Sequence, residues 1–574
     1  MKNTIAYVVL FTILLFTSGC SSPDKSMTLN FNSNGGSEVQ SITLNTTTFS
    51  VLPDNPTKEG FTFDGWFTDE GLTNELHVNE LDINASSITV YAKWIQDTFL
   101  VSFETNSDDE IETLTVQAGS IIPLPTVVLK DGYYFYGWYT DETLTSESHT
   151  LIMPNHDLIL YARWTDSMFY YTINENNEAT ITGIIPELVV DEVVVPDTVD
   201  NYPVISISYD AFDGYTNIKS LTLPDSLVSL PIGVLHDQVN LSNLTTPFID
   251  THRLSSDPQS ENYTEYSLLG KMFFIPTESL PIIDDGKLYQ SYVPYSLRYI
   301  NITDSTVIGK YSFAYTNLWE VTLNEGVTQI LYGAYTESNG MVYINIPASV
   351  SYIEPGAFFN MEHLYYFFVD SQNEHYITNE LNDTLFNIDQ TELLSFANGE
   401  TNYYAEIPNT VTIINDYAFA YSNIFTIIIP NSVTLIGDYA FANCKSLETI
   451  TFEENSQLES IRSYAFSQAN LNSITIPNSV LTIYDFAFYK NLNLQSVQFE
   501  ANSTVRSIGI TAFGYTLSLR EIIIPISVTG MYHGVFYGDH DITIYVEAES
   551  KPVGWSSSWL SLILEDNVVW GYTN

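Results

Sequence analysis

From residue 411 onward the chain repeats a unit too short to fold by itself. Val411-x-x-Ile414-x-x-x-Ala418-Phe419, then Ile424-x-x-Ile427-x-Ile429-Pro430, makes one such unit. Phe441, Phe466, Phe488, Phe513 and Phe536 return in the place of Phe419, at steps of 22, 25, 22, 25 and 23 residues. A coil of that length cannot close a hydrophobic core, so it must stack on copies of itself. The short, β-branched Ile-x-x-Ile-x-Ile stretch is expected to be a strand paired with its equivalents above and below. Ala-Phe should pack from the opposite wall, with the aligned Phe rings forming one continuous stack.

The steps alternate because two kinds of coil alternate. In one the strand ends in Ile-Pro (Pro430, Pro477, Pro525), where proline stops ladder pairing and forces a turn. In the other it ends in Phe-Glu (Phe452-Glu453, Phe499-Glu500), followed by a longer polar loop. Weaker units precede these, among them Ala211-Phe212, Ser312-Phe313, Ala334-Tyr335 and Ala357-Phe358. We expect a solenoid over residues 168–552, interrupted near 245–300 and 365–405, with 553–574 capping its open end. One column bears on function: Tyr417, Tyr439, Tyr464 and Phe486 each precede Ala-Phe and should line up along one face. Such a row is either a contact surface for a ligand or a structural ladder of rings stacked on one another.

A second, longer repeat lies nearer the N-terminus. Gly60-Phe61-Thr62-Phe63-Asp64-Gly65-Trp66-Phe67-Thr68-Asp69-Glu70 returns 72 positions on as Gly132-Tyr133-Tyr134-Phe135-Tyr136-Gly137-Trp138-Tyr139-Thr140-Asp141-Glu142, and Tyr91-Ala92-Lys93-Trp94 returns as Tyr161-Ala162-Arg163-Trp164. With alternating apolar openings at Leu29-Asn30-Phe31 and Val101-Ser102-Phe103, these read as two β-rich modules, over 27–95 and 98–165. Trp66 and Trp138 are expected in their cores.

The first residues set a compartment. Lys2, the apolar run Ile5–Phe16 and the small residues Thr17-Ser18-Gly19 before Cys20 have the order of a secretory leader over 1–19, with 20–26 as a tether. Twelve helical residues rise about 18 Å, short of the roughly 30 Å hydrocarbon core.

Composition narrows the function. The 18 Lys and Arg against 69 Asp and Glu give a net charge of −51, which repels nucleic acid and anionic membrane surfaces. Cys20 and Cys444 are the two cysteines, too few for a disulfide framework; Cys444 reads as structural. No P-loop, Gly-x-Ser-x-Gly elbow, dinucleotide fingerprint or calcium loop occurs, and His149/His156 and His533/His540, seven apart, fit no zinc pair. We therefore expect no catalytic residue, metal site or cofactor.

Three resemblances add to these readings. The Gly-Trp-(Phe/Tyr) step with its closing Tyr-Ala-(Lys/Arg)-Trp strand resembles the internalin B, or Listeria–Bacteroides, repeat, which implies a β-grasp-like module of bacterial surface proteins. The Ile-Pro-x-Ser-Val-x-x-Ile-x-x-x-Ala-Phe pattern is similar to the BspA-type, or Treponema-type, leucine-rich repeat. Ser18-Gly19-Cys20 resembles a lipobox, with Thr17 where Leu is usual, and implies lipidation of Cys20. Together they imply a mainly β chain, two small β-grasp-like modules followed by a leucine-rich-repeat solenoid. It is expected on the extracellular face of the cell membrane, lipid-anchored or else secreted. There it would act as a non-catalytic adhesin for a protein or glycan of a host, neighbouring cell or matrix, or alternatively as an envelope or matrix scaffold.

Overall fold

The structure is a computed structural model. It describes residues 26–45, 51–81, 85–108, 110–125, 130, 132–146, 151–185, 191–249, 269–274, 292–399, 403–561 and 563–573. The leader, Cys20, His149 and much of the expected 245–300 interruption lie outside the described residues. The chain divides into two compact units, 1–167 and 168–574. No α-helix occurs among the described residues.

The first unit holds two modules of one design. Strands β1 (Ser26–Asn32), β2 (Ile42–Asn45), β3 (Phe61–Phe67) and β4 (Ser87–Gln96) form a sheet in the order β2-β1-β4-β3. The central pair β1–β4 is parallel and both outer pairings are antiparallel. Strands β5 (Thr98–Glu104), β6 (Leu114–Gln117), β7 (Tyr134–Tyr139) and β8 (Leu158–Thr165) repeat that order and those directions. This is the central parallel pairing of a β-grasp sheet, without a helix over it among the described residues.

The Gly-Trp step has a mechanical reason. Residues three apart on a regular strand face opposite sides. Between Phe63 and Gly65 the pairing slips by one residue against β4, a bulge that Gly65 takes at φ 143°. Phe63 and Trp66 are thereby brought onto one side, with ring centroids 5.3 Å apart, and Phe31 sits 4.8 Å from the same indole. Gly137 does the same for Phe135 and Trp138, also 5.3 Å apart. Trp66 and Trp138 are buried, as expected of core residues.

The second unit begins with a sheet of Phe169–Ile173, Ala179–Ile184, Thr198–Val199 and Tyr202–Ile207 and continues as stacked coils. Each well-formed coil carries a four-residue strand, such as Thr426–Ile429, Thr449–Phe452 and Ser473–Ile476, in parallel register with its neighbours, Ile427 opposite Ile450. The sequence pattern missed a second strand of two residues per coil: Ile413–Ile414, Leu435–Ile436, Ser460–Ile461, Thr482–Ile483, Ser507–Ile508 and Gly530–Met531 form one parallel ladder.

The third wall is the Ala-Phe turn. Phe419, Phe441, Phe466, Phe488 and Phe513 stack at 4.9–5.3 Å with ring planes within 7° of parallel, all buried. Phe536 follows at 5.9 Å. Residues 376–396 depart from the coil pattern as three antiparallel strands, Tyr376–Thr378, Thr384–Asn387 and Glu392–Phe396. The last of these rejoins the two-residue ladder at Ile413, and Phe396 lies 5.2 Å from Phe419, so the core runs on unbroken from this segment.

At the C-terminal end, Val568–Trp570 adds a final parallel strand beside Thr543–Val546. Trp555 and Trp559 are buried against the last coils, and the indole N–H of Trp555 donates to the Val528 carbonyl at 3.0 Å.

Candidate binding face

Two rows of side chains run along the coils, and they differ in what they leave free. The first is the row of Tyr417, Tyr439, Tyr464 and Phe486, and the structure does line these residues up. Their ring centroids stand 4.6–4.9 Å apart with planes within 7° of parallel, and Phe359 extends the row to Tyr417 at 4.8 Å. Each ring face is covered by the next ring, so the row presents edges and hydroxyls outward. Burial raises the phenol pKa of Tyr417, Tyr439 and Tyr464 above the usual tyrosine range.

The backbone under this row is unusual. Tyr417, Tyr439, Tyr464 and Phe486 have φ between 56° and 60°, and the fourth residue on from each (Tyr421, Asn443, Gln468, Lys490) is left-handed as well. A bulky residue pays about 1–3 kcal/mol for this conformation. The return is in hydrogen bonding. The N–H groups of Tyr417, Phe419 and Tyr421 all point forward to the carbonyls of Asp438, Ala440 and Ala442 in the next coil, at 2.9, 2.7 and 2.8 Å. Stacked aromatic pairs add about 0.5–1.5 kcal/mol each beyond area burial, which offsets part of the strain.

Aspartates just before the row brace it. Asp416 Oδ1 accepts from the Asp438 N–H at 2.6 Å, and Asp438 Oδ1 from the Ser463 N–H at 2.8 Å. Burial raises the Asp416 pKa against the pull of that bond. Asp438→Ala should lower unfolding free energy by about 1–2 kcal/mol, because it leaves a part-buried N–H without its acceptor. An unchanged urea midpoint would show that the brace contributes nothing.

Beneath the Phe stack runs a line of small polar residues that the sequence pattern did not reveal, each three positions past an aromatic ring. Thr316 donates to the Phe313 carbonyl at 2.7 Å, Cys444 Sγ to that of Phe419 at 3.0 Å, and Asn491 to those of Phe466 and Phe488 at 2.6 and 3.0 Å. They satisfy carbonyls that the tight turn leaves inside the core. Cys444 belongs to this line; burial pushes its thiol up to about 12, which suppresses the reactive thiolate.

The second row is the outward face of the longer strands, where alternate residues point to solvent. Toward the C-terminus it carries Thr426, Ile428, Thr449, Thr451, Ser473 and Thr475. In the middle coils it turns aromatic. Tyr299 is paired with Glu320, and Tyr343 with Tyr366, on successive strands, Phe368 lies two residues beyond Tyr366, and Trp319 flanks Glu320. Tyr299, Trp319, Tyr366 and Phe368 are 42–52% exposed. They touch by their rings: Tyr299 to Trp319 at 6.0 Å, Tyr343 to Phe368 at 5.8 Å, Tyr366 to Phe368 at 6.1 Å. Arg298 lies 5.2 Å over Trp319 at the edge. Desolvation, and then the Glu320 carboxylate, raise the Tyr343 pKa. From Ser220 to Phe499, Glu320 is the one charged residue among the outward positions of the described longer strands. Sequence reading missed this patch because outward positions follow no repeat.

Comparison with known proteins accords with both repeat patterns. Residues 191–257, 289–398 and 412–543 match the BspA type Leucine rich repeat region, in six copies. Residues 28–93 and 99–163 match the Listeria-Bacteroides repeat domain. A protein of Evansella cellulosilytica that carries a membrane-protein name is 34% identical over 161 residues, 27% of this chain and 24% of its own length. Internalin H of Listeria monocytogenes is 31% identical over 127 residues, 22% of this chain and 23% of its own. The aligned part thus spans about a quarter of these curated relatives. Among solved structures, a leucine rich cell surface protein from Faecalibacterium prausnitzii is 22% identical with a TM-score of 0.41, covering 71% of this chain and 98% of its own. The pneumococcal vaccine antigen PcpA is 17% identical with a TM-score of 0.45, covering 70% and 95%. The BspA type match takes in more than half of the residues, and the chain belongs to that family of leucine rich repeat proteins.

Proposed function

We propose that this chain is a cell-surface binding protein that holds an extracellular protein or glycan non-covalently on the outward face of its longer strands. The observation that carries this reading is the patch of Tyr299, Trp319, Tyr343, Tyr366 and Phe368 on a stretch of that face, from Ser220 to Phe499, where Glu320 is the one charged outward residue of the described longer strands. Aromatic rings offer large contact area at low entropic cost, and a face with few charges is covered at a low desolvation penalty. Contiguous exposed apolar surface of this kind marks contact sites. The names of the relatives, a membrane protein and an internalin, point to the same location. Lipid attachment at Cys20 fits it too, since two or more acyl chains give lasting anchorage at about 0.8 kcal/mol per buried CH₂. In this reading the stacked row from Tyr417 to Phe486 stabilises the array and the aromatic patch makes the contact.

The test is capture by the full chain from host matrix and from the producer's own purified envelope, with and without Trp319→Ser, Tyr366→Ser and Phe368→Ser together. The triple variant should lose at least about 2 kcal/mol of binding, roughly 30-fold, with little change in melting temperature. Undiminished capture would remove the patch from the proposal. Capture from the producer's envelope alone would favour a scaffold over an adhesin.

A further inference from the structure

On one pair of coils the residue following the ring position carries metal-binding chemistry. Asp213 follows Phe212, and His236 follows Leu235 at the equivalent place 23 residues on. Elsewhere that column holds Ala314, Thr336, Ala420 and Ala442. Stacking therefore brings Asp213 and His236 together, and Asp237 joins them. One donor atom from each of the three lies within 4.8 Å of the other two.

One proton of the imidazole is placed by its surroundings. Its Nδ1 stands 2.8 Å from the Gly233 carbonyl, which can only accept, so Nδ1 carries the proton. Tyr209 stacks on the ring at 4.8 Å and 7°, holding its plane. Nε2 is then the ring nitrogen turned toward Asp213 Oδ1 at 3.4 Å and Asp237 Oδ1 at 3.6 Å. Among the described residues no Lys or Arg forms an ion pair with either aspartate.

The three donor atoms converge on one centre, as the ligands of a cation do. A proton on Nε2 would attract both carboxylates, but charge-assisted N–H···O bonds close to about 2.7–2.9 Å, well inside the 3.4 and 3.6 Å spacings. A metal ion fits those spacings better. With bonds of about 2.0–2.2 Å, donors on a tetrahedral zinc stand roughly 3.3–3.5 Å apart, whereas octahedral magnesium at about 2.1 Å needs roughly 3.0 Å. We propose that Asp213, His236 and Asp237 form a site for a zinc-like divalent transition-metal ion, with Gly233 and Tyr209 fixing the orientation of the histidine ligand. The nitrogen donor selects such ions over calcium and magnesium, which prefer all-oxygen sites. The ion would tie two successive coils together through their side chains.

Zinc chloride titrated calorimetrically into the full chain at pH 7.5 tests this, beside Asp213→Asn, an exposed isosteric change, and His236→Gln, each checked for an unchanged circular dichroism spectrum. We expect one zinc site that weakens roughly tenfold or more in each variant, no heat from magnesium chloride, and a zinc-dependent rise in melting temperature in the wild type alone. Absence of zinc binding by the wild type, or titrations that the two substitutions leave unchanged, would overturn the assignment.

Discussion

Phe466→Ala should lower the unfolding free energy by about 3–5 kcal/mol, the cost of a large buried ring together with the cavity it leaves. Phe466 is fully buried between Phe441 at 5.1 Å and Phe488 at 5.3 Å, with ring planes within 7° of parallel to both. The site has little freedom to collapse, because the backbone on either side is fixed by forward hydrogen bonds. Phe466 N–H donates to the Ala487 carbonyl at 2.8 Å and Phe441 N–H to the Ala465 carbonyl at 2.7 Å. Since each coil contacts only its neighbours, the loss should appear first as amide exchange in the coils from Ile436 to Phe488, ahead of global unfolding. Phe466→Leu, closer in volume, should cost less than half as much. A loss below about 1 kcal/mol for the alanine variant would mean that the ring stack does not carry the core.

Asp539→Asn should stabilise the chain at pH 8 and remove a fall in stability between about pH 4 and 7. Burial pushes the Asp539 carboxyl up to about 7. The local hydrogen bonding gives the carboxylate little support, since Asp539 Oδ1 has no partner among the described residues. Thr516 has one hydroxyl hydrogen, yet its Oγ1 lies 2.8 Å from the Phe513 carbonyl and 2.9 Å from Asp539 Oδ2. That one hydrogen is shared between two acceptors, so the carboxylate receives at most part of a hydrogen bond from Thr516. The sign follows directly. The folded state keeps the proton to about pH 7, whereas the unfolded chain releases it near the ordinary value of 3.8, so stability falls as pH rises between the two and is level above. About three pH units at about 1.4 kcal/mol each set an upper limit near 4 kcal/mol. Asparagine suits the position, because Asn491 occupies its equivalent two coils earlier and donates to both nearby Phe carbonyls. Parallel pH profiles for the variant and the wild type would refute the assignment.

The core could be read from the chain because it repeats. Ala418-Phe419 and its successors recur at nearly fixed spacing, and a stack imposes the same steric demand on every copy. The tryptophans of the Gly-Trp steps were legible for the same reason. The outward patch was not. Trp319, Tyr366 and Phe368 sit at positions that packing leaves free, so nothing distinguishes them from other exposed residues until the strands are laid side by side. The polar line under the Phe stack was hidden differently. Thr316, Ser338, Cys444, Asn491, Thr516 and Asp539 share a job but not a side chain, and a pattern search sees no repeat in them. The two-residue strands escaped because two residues carry no periodicity. Asp213 and His236 are adjacent through stacking, 23 residues apart, which matches no local metal motif.

The forward hydrogen bonds of the turn wall also bear on how the array avoids growing. On that wall the coils from Phe396 to Phe513 each donate to the one after them, so the last coil would be left with open donors. Here Gly534 and Val535 donate at 2.9 and 3.0 Å to the carbonyls of Ser558 and Trp559, within the segment that carries the buried Trp555 and Trp559. Without that segment these donors would be open to carbonyls of a second copy. Such a contact is head-to-tail, and head-to-tail contacts that do not close generate fibres. We propose that the segment after the last coil does for this chain what charge does for many edge strands, shielding an end that could otherwise pair with another copy.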